Sequence, residues 1–517
     1  MIKKGVLVVI LVLLQLNSIA TAVDLIVDTT IDSDPSVTDG KYSLREAIEA
    51  TNTNTAVDSC PAGTSSGSDS ISFFVPTPAT ITLESQLIVS EALIIEGLGP
   101  NNLTIDANNN SRHFNFNASP SVPTTFNLSH IRLINGQSSD GGSISSTKHK
   151  IISIDNVVFE DNTSTGGGGA ISITNELADE PVNLVTKLSI RRSVFLNNET
   201  QGSPSGGAVR AGIGSELIVK ESTFANNSAS HINGNGGAIH SQATSTNPSV
   251  ATIEHSTFNG NSASNSGGAI SGISDTTFNL KHVTIVGNTA DSDASGLGDA
   301  GGILVSSEGS LIIENSIIAN NSDLSATLNS IRPDISVGSA ASAFTTNGYN
   351  FISTDNWSGM TASAGTPNTD NDFIGTNSSP LDPLLLPLAD NGGVTQTMAV
   401  PDPNITLSLV VDNGNCPGEF NDQRTFGTIS GGVQRAFDVT TVAASSTGGN
   451  SCDIGAYEFG TINLTNDRDF DAVSDNLDDC PDHFNPDQDL VCEATEEQDE
   501  LCFAVKTTAN TVASVCL

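Results

Sequence analysis

The chain is short of the residues on which nucleic-acid binders and many enzymes depend. Of its 517 residues only 19 are Lys or Arg, against 58 Asp or Glu, a formal charge of −39. Such a surface repels phosphate backbones, which excludes nucleic acid as a partner. One Trp and three Tyr leave few aromatic platforms for stacking sugars. Charged residues make up 15% of the chain, and helix-forming runs of Ala, Leu, Glu and Lys are nearly absent, so strands and turns are expected. Beyond the N-terminus no apolar run approaches the ~20 residues of a membrane-crossing helix, and no transmembrane segment is expected in the mature chain. None of the seven cysteines sits in a CxxC pair, which argues against a thiolate metal site.

What is present begins with Lys3 and Lys4, an apolar run from Val6 to Leu16, and Ala20-Thr21-Ala22. This is the pattern of a signal peptide, residues 1–22, cleaved after Ala22. Export places the chain outside the cell or on a bacterial surface, where disulfides persist. Cys416 and Cys452 flank one loop-rich stretch, Cys480, Cys492, Cys502 and Cys516 crowd the C-terminus, and Cys60 stands alone.

A unit then recurs. Phe-x-x-Asn appears at Phe159, Phe195, Phe224 and Phe258, with degenerate copies at Ile285 and Ile318, every 27 to 36 residues. Each copy is followed by a glycine pair and apolar residues: Gly168-Gly169-Ala170-Ile171, Gly206-Gly207-Ala208-Val209, Gly236-Gly237-Ala238-Ile239, Gly267-Gly268-Ala269-Ile270 and Gly301-Gly302-Ile303-Leu304. Between them lie short alternating strands such as "ELIVKESTF". One such unit cannot bury its own inward residues and requires neighbours above and below. The reading is an all-β, right-handed, single-stranded parallel β-helix, with Phe stacked on Phe inside, Asn on Asn at a bend, and glycines at tight corners. This combination resembles the repeat of polymorphic outer-membrane proteins over roughly residues 130–325. The resemblance implies a β-helical surface passenger and an adhesive role. Autotransporter members of that family end in a membrane barrel, which this sequence does not carry, so self-translocation by that route is not expected.

An open solenoid exposes strand edges at its ends. In "DGKYSLREAIEATN", Ser43 and Glu46 fit a capping box, and Leu44, Ala47 and Ile48 share one helical face, predicting a short capping helix. The segment resembles the CSLREA domain that opens many secreted bacterial β-helix proteins. There the residue before Ser-Leu-Arg-Glu-Ala is normally Cys; here it is Tyr42, which leaves Cys60 an orphan. Towards the other end, Leu388–Val400 with "NDQRTFG" and Cys452–Phe459 resembles the terminal part of choice-of-anchor Q proteins, a family that implies no reaction. Asp422, Gln423 and Arg424 look catalytic but read as a structural corner.

The most pointed chemistry follows. Asp467, Asp469, Asp471, Asp475 and Asp478 occupy positions 1, 3, 5, 9 and 12 of a loop in which Val473 offers a backbone carbonyl. Crowded carboxylates repel unless a cation gathers them, and an all-oxygen set on a flexible loop suits Ca2+. With Cys480, Pro481, Asn485, Pro486 and Gln488 in place, the stretch resembles a thrombospondin type 3 repeat, departing at Ala472 where a glycine is usual. Asp487 and Asp489 belong to a truncated second copy.

The expected organisation is a signal peptide at 1–22, a CSLREA-like cap at 23–75, the β-helix at 76–400, a choice-of-anchor Q-like part at 401–460, the calcium repeat at 461–493, and a hairpin or sorting segment at 494–517. The function expected is structural or adhesive at a surface, with calcium and a polysaccharide or host-cell ligand as partners. The alternative is a carbohydrate-active enzyme, a lyase or hydrolase working in a groove along the β-helix. That chemistry needs two carboxylates ~5–10 Å apart or calcium beside a basic residue. The solenoid's acids, such as Asp106, Asp155, Glu254 and Glu314, are scattered singly, and of the adjacent pair Arg191 and Arg192 one is expected to face solvent.

Overall fold

The computed structural model describes residues 22–459 apart from 66, 117–123, 148–149, 176–185, 204, 297, 307, 326–330, 339–343, 355–362, 364, 404, 418, 420 and 425–450, and the backbone of 502–506 and 512–516. The chain winds into a parallel β-helix whose strands stack as an 18-stranded sheet, a 9-stranded sheet and a 7-stranded sheet. Stacking begins early: Asp24–Val27 already pairs in parallel with Asp69–Phe73. The last rung strand is Phe373–Ile374, paired with Phe351–Ile352.

The stack is held by side chains in register. One inward column runs Ile81, Ile105, Leu133, Phe159, Phe195, Phe224, Phe258, Ile285, Ile318, Ile352 and Ile374. The four phenylalanines lie face to face, with ring centroids 4.7, 4.6 and 4.7 Å apart, and are fully buried. That spacing is imposed by the backbone, since hydrogen-bonded strands stand ~4.8 Å apart. Aromatic rings at this distance gain ~0.5–1.5 kcal/mol per pair beyond their area burial.

The asparagine of Phe-x-x-Asn forms a second ladder. Nδ2 of Asn162 donates to Oδ1 of Asn198, and the same 2.9 Å bond links Asn198 to Asn227, Asn227 to Asn261, Asn261 to Asn288 and Asn288 to Asn321. The second Nδ2 proton meets the carbonyl that the bend leaves unpaired, as from Asn227 to Phe195 at 2.9 Å. The Oδ1 also accepts the preceding asparagine's backbone N–H, as from Asn198 to Asn227. From Asn198 to Asn321 each amide thereby fills two donor and two acceptor positions in a dry corner, where an orphaned group costs ~1–3 kcal/mol. The residue before each asparagine is left-handed: Asp161, Asn197, Asn226, Gly260, Gly287 and Asn320 have φ from 54 to 73°. These are the residue types that tolerate that region.

The ladder ends on a carboxylate. Asn321 donates to Oδ1 of Asp334, whose Oδ2 accepts from the Thr354 N–H and hydroxyl. Burial pushes Asp334 up to about 6 against the pull of those donors.

The glycine pair does two jobs. Gly206 has φ 96°, and a Cβ on Gly207 would lie 1.9 Å from the Gly237 carbonyl oxygen of the next rung. The last copy is shifted by one from the sequence reading. Ile303 pairs with Ile270, so Gly301 takes the place of Gly268, and Ala300, with φ 61°, takes that of Gly267.

Leu44–Thr53 forms α1, with both bonds of the Ser43–Glu46 capping box in place. Leu44, Ala47 and Ile48 are buried against the core as expected. The helix packs on the Asp24–Val27 and Asp69–Phe73 strands at the start of the stack. At the C-terminus, Cys502–Lys506 and Val512–Cys516 form the expected antiparallel hairpin, with Cys502 opposite Cys516.

Replacing Asn227 by Ala strips acceptors from two buried N–H donors of Asn198 and a donor from Phe195. We expect a loss of at least ~3 kcal/mol in denaturant unfolding, against under ~0.5 for exposed Asn233→Ala. The raised Asp334 adds stability that is complete below about pH 3.8 and lost as pH rises through about 6. The penalty of Asp334→Asn, measured as a difference in melting temperature, therefore shrinks between pH 4 and 7.

Candidate functional site

The first half of the 18-stranded sheet presents an open outer face. Its central outward row is Ser153, Ser189, Ile218, Thr252, Asn279 and Ile312, one residue per rung and all partly exposed. Beside it runs a charged row, Asp155, Arg191, Lys220, Glu254, Lys281 and Glu314. Lys220 meets Glu254 at 2.7 Å, Lys281 meets Glu314 at 3.6 Å, and Arg191 reaches Glu221 at 2.7 Å. Such exposed pairs are worth ~0–1 kcal/mol each, and where the row stacks two cations, Arg191 on Lys220, Arg191 turns aside to Glu221.

These contacts occupy the acids that sequence reading weighed for catalysis. Asp155 is held by Arg192 at 2.9 Å, Glu254 by Lys220 and Glu314 by Lys281, while Asp106 accepts from the Asn135 amide at 3.0 Å. The expectation for the arginine pair needs correction: both point outward. Arg192 sits at a bend with φ 46°, so strict strand alternation fails there. The same left-handed bend recurs at His130, Asn156, Glu221, His255, His282 and Asn315.

A serine ladder fixes that bend. The Val157 N–H donates to Ser193 Oγ, that of Ser193 to Ser222 and that of Ser222 to Ser256, at 3.1 to 3.2 Å. Sequence reading missed these serines, although they stand two residues before Phe195, Phe224 and Phe258.

From Thr223 onward the second half of the same sheet is covered. Described residues between 381 and 459 fold along its flank, where Met398, Val400, Val410, Val411 and Ile454 pack on Val286, Ile317, Ala319, Phe351 and Phe373. Asp422, Gln423 and Arg424 are the joint of this flank. Gln423 accepts from the Thr257 hydroxyl at 2.6 Å and donates to Thr223 and Thr395. Arg424 pairs with Asp422 at 2.6 Å, lies 4.1 Å from the Tyr457 ring centroid and donates to the Glu458 carbonyl. All three are buried, the structural corner that the sequence suggested. A Cys416–Cys452 disulfide closes the stretch, and constraining a loop of 36 residues is worth ~4 kcal/mol on chain-entropy grounds.

Glu419 reaches back from the flank to the bend, 2.6 Å from Lys281 and 3.5 Å from His255. The His255 imidazole, which stacks on His282 at 4.9 Å, and the Lys281 ammonium hold Glu419 down at about 2.

Cys60 is free and buried. Burial first, and then the carboxylates of Glu46, Asp58 and Asp28, push its thiol up to about 12. It stays protonated at neutral pH and is no nucleophile. The expected calcium ligands Asp467, Asp469, Asp471, Val473, Asp475, Asp478, Asp487 and Asp489 lie outside the described residues. Among the described residues no helix is long and apolar enough to cross a membrane.

Three stretches, residues 156–174, 221–242 and 255–273, match the Chlamydia polymorphic membrane protein repeat. Each begins at the left-handed bend, includes the buried Phe and the ladder Asn, and ends with the strand after the glycine pair. The chain is therefore similar to that family in the unit that builds a rung. No curated protein matches the chain, and no solved structure does.

Because Glu419 is depressed, its contribution to flank docking is complete above about pH 4.5 and is lost as pH falls towards about 2. Amides of residues 408–424 should lose protection, taken against the intrinsic exchange rate at each pH, over that window in the native protein. In Glu419→Gln protection should already be low at pH 5.5 and change little on acidification.

Proposed function

We propose that the chain is an exported surface protein whose β-helix is a stiff spacer presenting its open polar face to a polysaccharide or another cell's surface. The observation that carries this reading is the coincidence of the surface-protein repeat with the structural rung, beside a flat face of hydroxyl, amide and aliphatic groups. Hydroxyls and amides in a regular row suit sugar hydroxyls, and partly exposed Ile218 and Ile312 add apolar contact. The Asp155, Glu254 and Glu314 carboxylates, each engaged by a cation, favour binding over glycan cleavage.

In this proposal the leader 1–22 directs export. Ca2+ is held by Asp467, Asp469, Asp471, the Val473 carbonyl, Asp475 and Asp478, and more weakly by Asp487 and Asp489. The ion stiffens the segment between solenoid and terminal hairpin.

Immobilised full-length protein should retain cells or a neutral polysaccharide without releasing shortened product. Changing Ile218 and Thr252 together to Glu should reduce retention at least ~10-fold, with a melting temperature near that of the native protein, as surface changes of this kind shift stability little. Steady depolymerisation of the polysaccharide would overturn the reading in favour of an enzyme. Asp467→Asn/Asp469→Asn/Asp471→Asn should abolish calcium protection of residues 461–493 from protease.

A further inference from the structure

The N-terminal cap holds a second acidic group that the proposed function does not use. Asp39, Glu46 and Asp58 each bring one carboxylate oxygen within 4.8 Å of the others. They come from three places: the turn before α1, the first turn of α1 and the turn after it. Asp58 Oδ2 accepts the N–H groups of Asp39 and Gly40 at 3.1 and 2.7 Å, and Asp39 accepts from Lys41 N–H at 2.8 Å and Ser33 hydroxyl at 3.3 Å. The local backbone thus aims both aspartates.

Glu46 is the informative member. It is fully buried, and its Oε2 takes the Ser43 N–H and hydroxyl of the capping box. Its Oε1 is equally buried and has no hydrogen-bond partner. A capping box accounts for one oxygen of a glutamate and leaves the other to solvent, because a sealed, unpartnered carboxylate oxygen is costly. The helix's own cation does not relieve it, since Arg45 is committed to Asp32 at 2.7 Å.

From this geometry we infer that Asp39, Glu46 and Asp58 bind a divalent cation, calcium, at the N-terminal cap. Oxygens held 2.3–2.6 Å from Ca2+ lie no more than about 5.2 Å apart, which the cluster satisfies. Three carboxylates without imidazole or thiolate define a hard-cation site, and turn-borne ligands suit calcium better than magnesium, which demands a rigid octahedron. The ion ties both flanking turns to the start of α1 and so clamps the cap on the first rung.

The test uses the full-length chain carrying Asp467→Asn/Asp469→Asn/Asp471→Asn, which removes the main C-terminal site, and reads exchange only at the cap. With calcium at ~100 times its Kd, amides of residues 39–60 that exchange only when the site opens should slow about 100-fold relative to EDTA. Magnesium at the same concentration should leave them unchanged. Glu46→Gln keeps the capping box, which glutamine also supports. It should abolish the calcium response, while in EDTA its unfolding midpoint equals or exceeds the parent's. Asp58→Asn should also abolish the response with the helix intact. The inference is overturned if calcium leaves exchange at 39–60 unchanged, or if Glu46→Gln and Asp58→Asn respond as the parent does.

Discussion

Everything in this fold depends on the fixed distance between hydrogen-bonded strands. Once rungs stack at that spacing, a residue type repeated at one place in the unit must lie on its own copy. Only side chains that satisfy themselves at that repeat can occupy the interior. Phenylalanine does so by parallel stacking, as between Phe195 and Phe224. Asparagine does so because one end of its amide donates upward while the other accepts from below, as along Asn198, Asn227 and Asn261. The run stops where the chemistry changes, at Asp334, an acceptor with no proton to pass on while ionised.

The exterior follows the same spacing under a different demand. Outward neighbours are also brought close, so like charges stacked rung upon rung would repel. The outer row answers with mixed signs at Lys220–Glu254 and Lys281–Glu314, and where Arg191 stacks on Lys220 each cation turns to its own glutamate, Glu221 and Glu254. Where the outside is covered instead of solvated, outward residues change character. Thr223, Thr257 and Thr284 give way to Ile317 and Phe351, and the flank lies over them. One half of a continuous sheet thereby stays open to solvent, and the other is covered by the chain itself from Thr223 onward.

Much of this was legible in residues that repeat. Phe159, Phe195, Phe224 and Phe258 predicted an inward column, and Asn162, Asn198, Asn227 and Asn261 a ladder, because a solenoid turns recurrence into contact. Ser43 and Glu46 announced their helix, since a cap is a local device. The shifted glycine pair at Ala300 was hidden because "AGG" reads equally well in two registers, and only pairing of Ile303 with Ile270 decides between them. Arg192 was misread because a left-handed residue interrupts a strand without any Gly, Asn or Asp to mark it.

By itself, then, the sequence determined most of the rung: which residues stack, where the asparagine corner lies and how its first turn is capped. These follow from short-range geometry repeated many times. Tertiary structure alone decided what lies against what across long separations. It bound Gln423 to Thr223 and Thr257, set Glu419 between Lys281 and His255, and gathered Asp39 and Asp58 around Glu46. Those contacts occur once each, so no periodicity announces them, and their energy depends on burial that exists only after the solenoid has formed.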